Sequence, residues 1–528
     1  MKIKSDIKSE RIRFMKRTVS IILALVIICL VPSAALAASE KCDCGTTPVV
    51  FVPGFGESLY LNPESDSRVS AFPPEKDAIM SAVPDIIKAV AAVLVSGNYD
   101  SFGDYAMDAA DKMLGDMACN PDGTSKKNVG IMPKEMPSAD AHKITNYNFA
   151  GVSEEPCGEY TYFYDWRLDP IDNAKGLKTF IDKVKDITGH DEIVLSCHSQ
   201  GNTVVASYLH LYGSSGIKKL VFLSPAYKGL SLIGCLLNRE ISVSGKSDEL
   251  SEYIKGIMGY NNAKAQLIGA VIDALSDMGV VDALLDFVQK ILDSQFDRIL
   301  DEFLIDAMGT MPGVWSFVPD EYYESAKSKT FKGNSEYDAL IKKIDYYHYN
   351  VQNRVEELIH SAKKSGTAVV IAMGYDISTI PVTTARETHS DLLIDTGYMS
   401  LGAVCSDIGK TLGKGYEQRN TACGHNHISP DLTIDASTCE FPEYTWFFRG
   451  NGHNTFDAPY LEFLKWAILF DGQPTVHSSE KYPQFMQTKD GELVPVDGPR
   501  AAETRGNLEI IITCALSLIK DSFKSSKH

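Results

Sequence analysis

The sequence predicts an α/β fold with a mainly parallel central sheet, and three observations predict it. Short apolar, β-branched runs alternate with segments whose apolar residues recur at helical spacing, the pattern of strands joined by helical crossovers. One such strand passes directly into a helix through Cys197-His198-Ser199-Gln200-Gly201, with a serine at the turn. Another, Val49-Val50-Phe51-Val52, ends in Pro53-Gly54-Phe55-Gly56. Parallel neighbours of this kind require right-handed crossovers.

Taken in order, the chain opens on Lys2 to Arg17, which is basic, and Val19 to Val31, which is apolar except for Ser20. Pro32-Ser33-Ala34-Ala35-Leu36-Ala37 follows as a small-residue processing site. Residues 1–37 therefore read as a secretory signal peptide, with an uncleaved membrane anchor as the alternative. The 528-residue chain has a net charge of −18, and losing that basic leader leaves residues 38–528 more acidic still. An acidic body excludes nucleic acid as a partner, so any contact with lipid aggregates or a membrane surface must be hydrophobic. Composition is that of an ordinary globular protein, without repeats, and the length suits one large domain with insertions or two to three domains.

After the strand at Val49, residues 61–147 turn helical and irregular. Ile86, Ile87, Val90, Val93 and Leu94 share a face, as do Met107, Ala110, Met113 and Leu114, which suggests a cap insertion. Tyr160 to Tyr164 alternates aromatic residues and leads into Asp165-Trp166-Arg167-Leu168. Leu177, Phe180, Ile181 and Val184 mark a helix, Ile193-Val194-Leu195 the strand before the serine, and Leu220-Val221-Phe222-Leu223 the next strand. Residues 230–350 are helical by period, with Leu284, Leu285, Val288 and Leu292 the clearest stripe. They read either as a subdomain with its own core or as a lid over an apolar site. Ala368 to Tyr375 resumes the sheet, and Thr445-Trp446-Phe447-Phe448-Arg449 leads to Gly450-Asn451-Gly452-His453.

The turn at Ser199 has the layout of an α/β-hydrolase nucleophile elbow, in which a strained turn lifts a serine Oγ clear of the sheet. The usual form is G-x-S-x-G; Gly201 fits, and Cys197 stands at the first glycine. The bland reading is a serine helix cap. The Gln200 N–H and the Phe55 N–H are placed to form an oxyanion hole. A serine nucleophile needs a base and a carboxylate to orient it, and in this fold they follow in the order serine, acid, histidine. His453, in a Gly-rich loop after a strand, is the best-placed base; His425 and His427, in Cys423-Gly424-His425-Asn426-His427, are rivals. Asp391 and Asp395 are both candidate acids, and either suits a turn or helix cap. His198 faces the wrong way to serve as the base, and Cys197 is a poor nucleophile.

The chain has 11 cysteines. Export permits disulfides, and Cys405, Cys423 and Cys439 lie close in a loop-rich region, while Cys119 and Cys157 bracket the early insertion; spacing assigns no pairing. Cys42-Asp43-Cys44 stands alone and no C-x-x-C repeats, so no metal site is expected.

Val52-Pro53-Gly54-Phe55-Gly56, Tyr164-Asp165-Trp166-Arg167-Leu168, His198-Ser199-Gln200-Gly201 and the segment from Ser390-Asp391 resemble, in order and spacing, the lecithin–cholesterol acyltransferase-like lipases. The resemblance implies an α/β-hydrolase fold with helical cap and lid insertions. It places the triad acid on Asp391, the oxyanion donors on Phe55 and Gln200, and substrate contact on Trp166. It further implies hydrolysis or transfer of lipid acyl groups through an acyl-serine, with no cofactor. A secreted serine ester hydrolase with Ser199, His453 and Asp391 is thus the expectation. A peptidase or amidase on the same scaffold, or a non-catalytic cell-envelope binding protein, stays open.

Overall fold

Eight strands build the central sheet of the computed structural model, which describes residues 42, 44–65, 69–131, 158–258, 263–382 and 388–499. They are β1 (Val49–Val52), β2 (Glu159–Thr161), β3 (Ile193–His198), β4 (Ile217–Leu223), β5 (Ala368–Tyr375), β6 (Thr445–Arg449), β7 (Phe485–Lys489) and β8 (Glu492–Pro495). Their spatial order is β2-β1-β3-β4-β5-β6-β7-β8, and every neighbouring pair is parallel except the closing hairpin β7–β8. The signal peptide read in residues 1–37 lies outside the described residues.

The apolar runs within β1, β3, β4 and β5 follow from burial on both faces. Val50 and Val52 join one core with Leu195, Leu220 and Phe222, while Val49 and Phe51 join the other with Val194, Val221 and Trp446. Helices α1 (Lys76–Ser96) and α2 (Tyr99–Leu114) belong to the first insertion, while α3 (Pro170–Thr188) and α4 (Gly201–Tyr212) flank β3 in sequence and cover the sheet. Later come α5 (Val280–Ile299), α6 (Val355–Lys364) and α7 (Ala458–Leu469). Leu177 and Phe180 of α3, Val204 of α4 and Ile359 of α6 fill the first core; Tyr460, Phe463 and Leu464 of α7 fill the second.

The order around β1 matters for function. The chain leaves β1 to one side for β2 and comes back on the other for β3. The loops after β1 and β3 therefore part at the carboxyl ends of adjacent strands, a crevice where parallel sheets place their ligands. This is a mostly parallel α/β sheet, with the turn at Ser199 directly after β3.

Two insertions depart from the sheet. The first carries α1, α2 and a small antiparallel sheet of Leu59–Leu61, Val69–Phe72 and Val129–Gly130, which helical periodicity over 61–147 did not suggest. Of the stripe read on α1, Ile86, Ile87, Val90 and Leu94 face outward, Ile87 at 62% and Leu94 at 68% exposure, and Val93 alone is buried, beside Ala82 and Ala89. Because α1 is apolar on nearly every side, close approach to α2 selects its small residues. The second insertion runs through helices Ser231–Leu237, Ser247–Met258, Ala263–Asp277 and α5, then ten residues of π-helical turns over Leu300–Gly309. Gln295 donates from Nε2 to Asp100 Oδ1 at 3.1 Å and Arg298 pairs with Asp104, tying α5 to α2.

Asp169 caps α3 by accepting from the Ile171 N–H at 2.9 Å, in a buried site. Burial pushes its carboxyl up to about 6, from an ordinary 3.8. The folded state therefore holds the proton more tightly, and the group's contribution, full below pH 3.8, is lost as pH rises through 6. Asparagine caps equally well and does not titrate. Asp169→Asn is expected to match wild type near pH 4 and to exceed it near neutral pH by on the order of 2–3 kcal/mol in urea unfolding. Equal gaps at both pH values would refute this.

Candidate active site

The elbow is tight because the turn has no room to relax. Ser199 sits at φ +53°, a left-handed conformation that non-glycine residues rarely adopt. Its N–H donates to Leu223 O at 3.1 Å, and its carbonyl accepts from the N–H groups of Asn202 and Ala226. A Cβ at Gly201 would lie 2.2 Å from Val52 O, and one at Gly54 would lie 2.6 Å from Ser199 Cβ. The loop after β1 thus presses on the serine, and only glycine fits at either contact.

Cys197, which departs from the usual elbow sequence, pairs with Asn202, the residue directly after the elbow glycine. Cys197 is buried and donates from Sγ to Asn202 Oδ1 at 3.2 Å, while Asn202 Nδ2 donates to Ser199 O at 2.9 Å. The pair links the strand end to the first turn of α4 behind the serine. Burial raises the Cys197 thiol well above its ordinary range, so this sulfur stays protonated.

Ser199, His453 and Asp391 are brought together from three loops at the sheet's carboxyl edge. His453 Nε2 is 2.9 Å from Ser199 Oγ, and His453 Nδ1 is 2.8 Å from Asp391 Oδ2. A carboxylate only accepts, so Nδ1 carries the ring proton and Nε2 offers its lone pair to the serine. Asp391 is fully buried; its Oδ1 accepts from the N–H groups of Leu393 at 3.2 Å and Ile394 at 2.9 Å. Burial alone would raise this carboxyl, but the charge and hydrogen bond of His453, helped by those two N–H groups, hold it below its ordinary value. The His453 N–H also donates to Asp391 O at 2.7 Å, fixing one loop to the other.

The rival residues are engaged elsewhere. Asp395 accepts from Ser231 N, Ser231 Oγ and Thr388 Oγ1 at 2.9–3.0 Å, and burial raises its carboxyl. A cavity of about 610 Å³, lined by Lys228, Asp395 and Tyr398 among others, opens beside it; Ser199 is not in its lining. His425 and His427 face Glu443. His198 donates from Nε2 to His453 O at 2.9 Å, and burial lowers its imidazole to about 3, so it is neutral and steadies the His453 loop.

Phe55 follows Gly54 and so lies where the loop meets Ser199, while Gln200 opens α4. Among the described residues neither backbone N–H donates to a protein acceptor. The Gln200 side chain turns away, donating from Nε2 to Trp166 O at 2.8 Å and Gly313 O at 3.2 Å. Trp166 is buried, gives its Nε1–H to Glu57 O at 3.0 Å and lies 4.2 Å from the half-exposed Phe55 ring, centroid to centroid. Phe72 and Phe317 complete an aromatic group around Phe55. Sequence pattern does not point to the Gln200 side chain, Asn202 or Gly313 as supports; an asparagine directly after the elbow glycine is the one available signal.

No protein-family model matches the chain, and no curated protein matches it. Among solved structures, one described as the crystal structure of the Tle4–Tli4 complex matches over 62% of this chain and 75% of its own, at 13% identity and a TM-score of 0.24.

Proposed function

We propose that this protein is an exported serine ester hydrolase acting on lipid esters. The observation that carries the reading is the continuous relay Ser199 Oγ–His453 Nε2, His453 Nδ1–Asp391 Oδ2, with a serine strained at an elbow. Ser199 Oγ bonds to the ester carbonyl carbon as its proton passes to His453 Nε2, and the carbonyl oxygen takes the negative charge. The Phe55 and Gln200 N–H groups face that oxyanion, assisted by the N-terminus of α4. His453 returns the proton to the departing alkoxide, leaving an acyl-serine. Water then attacks with His453 again as base, releasing the fatty acid; an alcohol in its place gives acyl transfer. Asp391 keeps the Nδ1 proton in place and steadies the imidazolium.

The lipid assignment rests on surface chemistry and on the resemblance to the lecithin–cholesterol acyltransferase-like lipases. Helix α1 displays Ile87, Val90, Leu94 and Val95 to solvent, and the second insertion displays Val271, Met278 and Leu284. Exposed apolar stripes on the helices of both insertions suit an aggregated substrate, and an acidic body leaves hydrophobic contact as the means of docking. Fatty-acid release from phospholipid and triacylglycerol dispersions, measured beside cleavage of a soluble short-chain ester and a peptide, tests the reading. The wild type is expected to release fatty acid and spare the peptide. The variant Ile87→Asn/Leu94→Asn should lose about tenfold on dispersions and keep its rate on the soluble ester. Peptide cleavage without ester cleavage would move the assignment to an amidase.

A further inference from the structure

Away from Ser199, Cys423, His425, His427 and Glu443 place one potential ligand atom each within 4.8 Å of all the others. The first three lie in the loop between the strands Val404–Cys405 and Ile434–Asp435; Glu443 sits in the turn Pro442–Tyr444 just before β6. We infer that these four side chains form a binding site for a zinc-class divalent cation that staples this loop to the start of β6.

The cluster is built, not merely crowded. His427 is fully buried, and its Nδ1 lies 2.7 Å from Gln484 Oε1. Gln484 spends its amide hydrogens on Pro442 O at 2.8 Å and Thr445 O at 3.1 Å, which fixes its Oε1 toward the histidine. His427 Nδ1 must therefore donate, and Nε2 presents its lone pair inward. There it meets Cys423 Sγ at 3.2 Å and Glu443 Oε1 at 3.3 Å, while His425 Nδ1 is 3.0 Å from the same oxygen. Electron pairs of an imidazole, a sulfur and a carboxylate converge on one point, and a cation there satisfies all of them.

Supporting contacts orient the ligands. His477 Nε2 lies 3.1 Å from Glu443 Oε2, holding the other carboxylate oxygen and leaving Oε1 for the site. Gln418 spans the loop, donating to His425 O at 2.9 Å and accepting from the His427 N–H at 2.7 Å. The His425 N–H lies 3.5 Å from Cys423 Sγ, as a thiolate ligand prefers. One sulfur, two imidazoles and a carboxylate are zinc ligands, and bond lengths of about 2.0–2.3 Å put tetrahedral donor atoms about 3.3–3.7 Å apart. Three of the six donor spacings, at 3.0–3.3 Å, need only small outward shifts, and all six lie within 4.8 Å. Searching for repeated C-x-x-C misses this site because its fourth ligand comes from another segment. With all four positions filled by protein, the ion is structural and has no part in ester chemistry.

The test is independent of hydrolysis. The reduced full-length protein, freed of metal by chelation, is titrated with Co²⁺ alone and followed by absorption, with Zn²⁺ as competitor. One Co²⁺ per chain with tetrahedral ligand-field bands and a thiolate charge-transfer band is expected, as is a higher melting temperature with Zn²⁺. Cys423→Ser, at an exposed position that leaves packing intact, should lose the charge-transfer band and bind at least about 100-fold more weakly. Cys44→Ser should retain both band and affinity. Absence of stoichiometric binding, a spectrum unchanged by Cys423→Ser, or Cys423 held in a disulfide in the protein as exported would overturn the site.

Discussion

Ser199→Ala is expected to abolish fluorophosphonate labelling and to lower kcat on a soluble ester by about 10⁶, leaving KM within a few-fold. His453→Ala should fall about as far, because the serine hydroxyl is a weak nucleophile without a base. Asp391→Asn is the sharper test. Asparagine fits the buried site and can still accept from the Leu393 and Ile394 N–H groups, yet its amide can donate to Nδ1 and favours the wrong imidazole tautomer. A fall of about 10⁴ in kcat with an unchanged melting profile is expected. Asp395→Asn disturbs only the contacts to Ser231 and Thr388 and should change kcat by less than about tenfold. Single and paired removals should be non-additive, since the three groups act as one unit. If Asp395→Asn were the damaging substitution and Asp391→Asn silent, the relay as drawn could not be the catalyst.

How far the chain was legible depended on whether local pattern or distant contact decided each feature. β1, β3, β4, β5 and β6 announce themselves as apolar runs because both faces are covered. β7 and β8 do not: their burial is partial and their residues mixed, as in Gln487, Thr488 and Lys489. The signal for that hairpin was Asp490-Gly491, where φ is +53° and +81°. Helix α1 misleads for the opposite reason, since apolar residues on almost every side leave periodicity with nothing to select. At the site, spacing and loop character singled out Ser199 and His453, but two aspartates four positions apart cannot be ranked by pattern. Their surroundings separate them: Asp391 meets an imidazole and two N–H groups, and Asp395 meets two hydroxyls and one N–H. Cys197 departs from the motif at its first glycine, and its partner Asn202, five residues on, is what accounts for it.

Arg167→Met should cost about 3–5 kcal/mol of unfolding free energy, the largest stability loss expected from any single polar side chain of this protein. The guanidinium is completely buried and meets Asp165 at two points, Nε to Oδ1 at 3.0 Å and Nη2 to Oδ2 at 2.6 Å. It also donates to Met117 O at 2.8 Å, Ser125 Oγ at 2.9 Å and Val129 O at 3.3 Å, and so ties the first insertion to the sheet. Methionine matches the stem but leaves a buried carboxylate without a counter-charge and carbonyls without a donor. Lysine keeps the charge, yet its single ammonium cannot reproduce a planar fork, so Arg167→Lys should lose more than half as much. The double variant Asp165→Asn/Arg167→Met discriminates between causes. If the stranded charge dominates, the second change recovers at least about 1 kcal/mol; if the insertion contacts dominate, it recovers nothing. The damage should reach the elbow as well, because Arg167 O accepts from the Gly313 N–H at 2.9 Å and the adjoining Trp166 O holds Gln200. Esterase activity in Arg167→Met is therefore expected to fall at temperatures where the protein is still folded. A variant that unfolds within about 1 kcal/mol of wild type would show that the block Tyr164-Asp165-Trp166-Arg167 carries no structural weight.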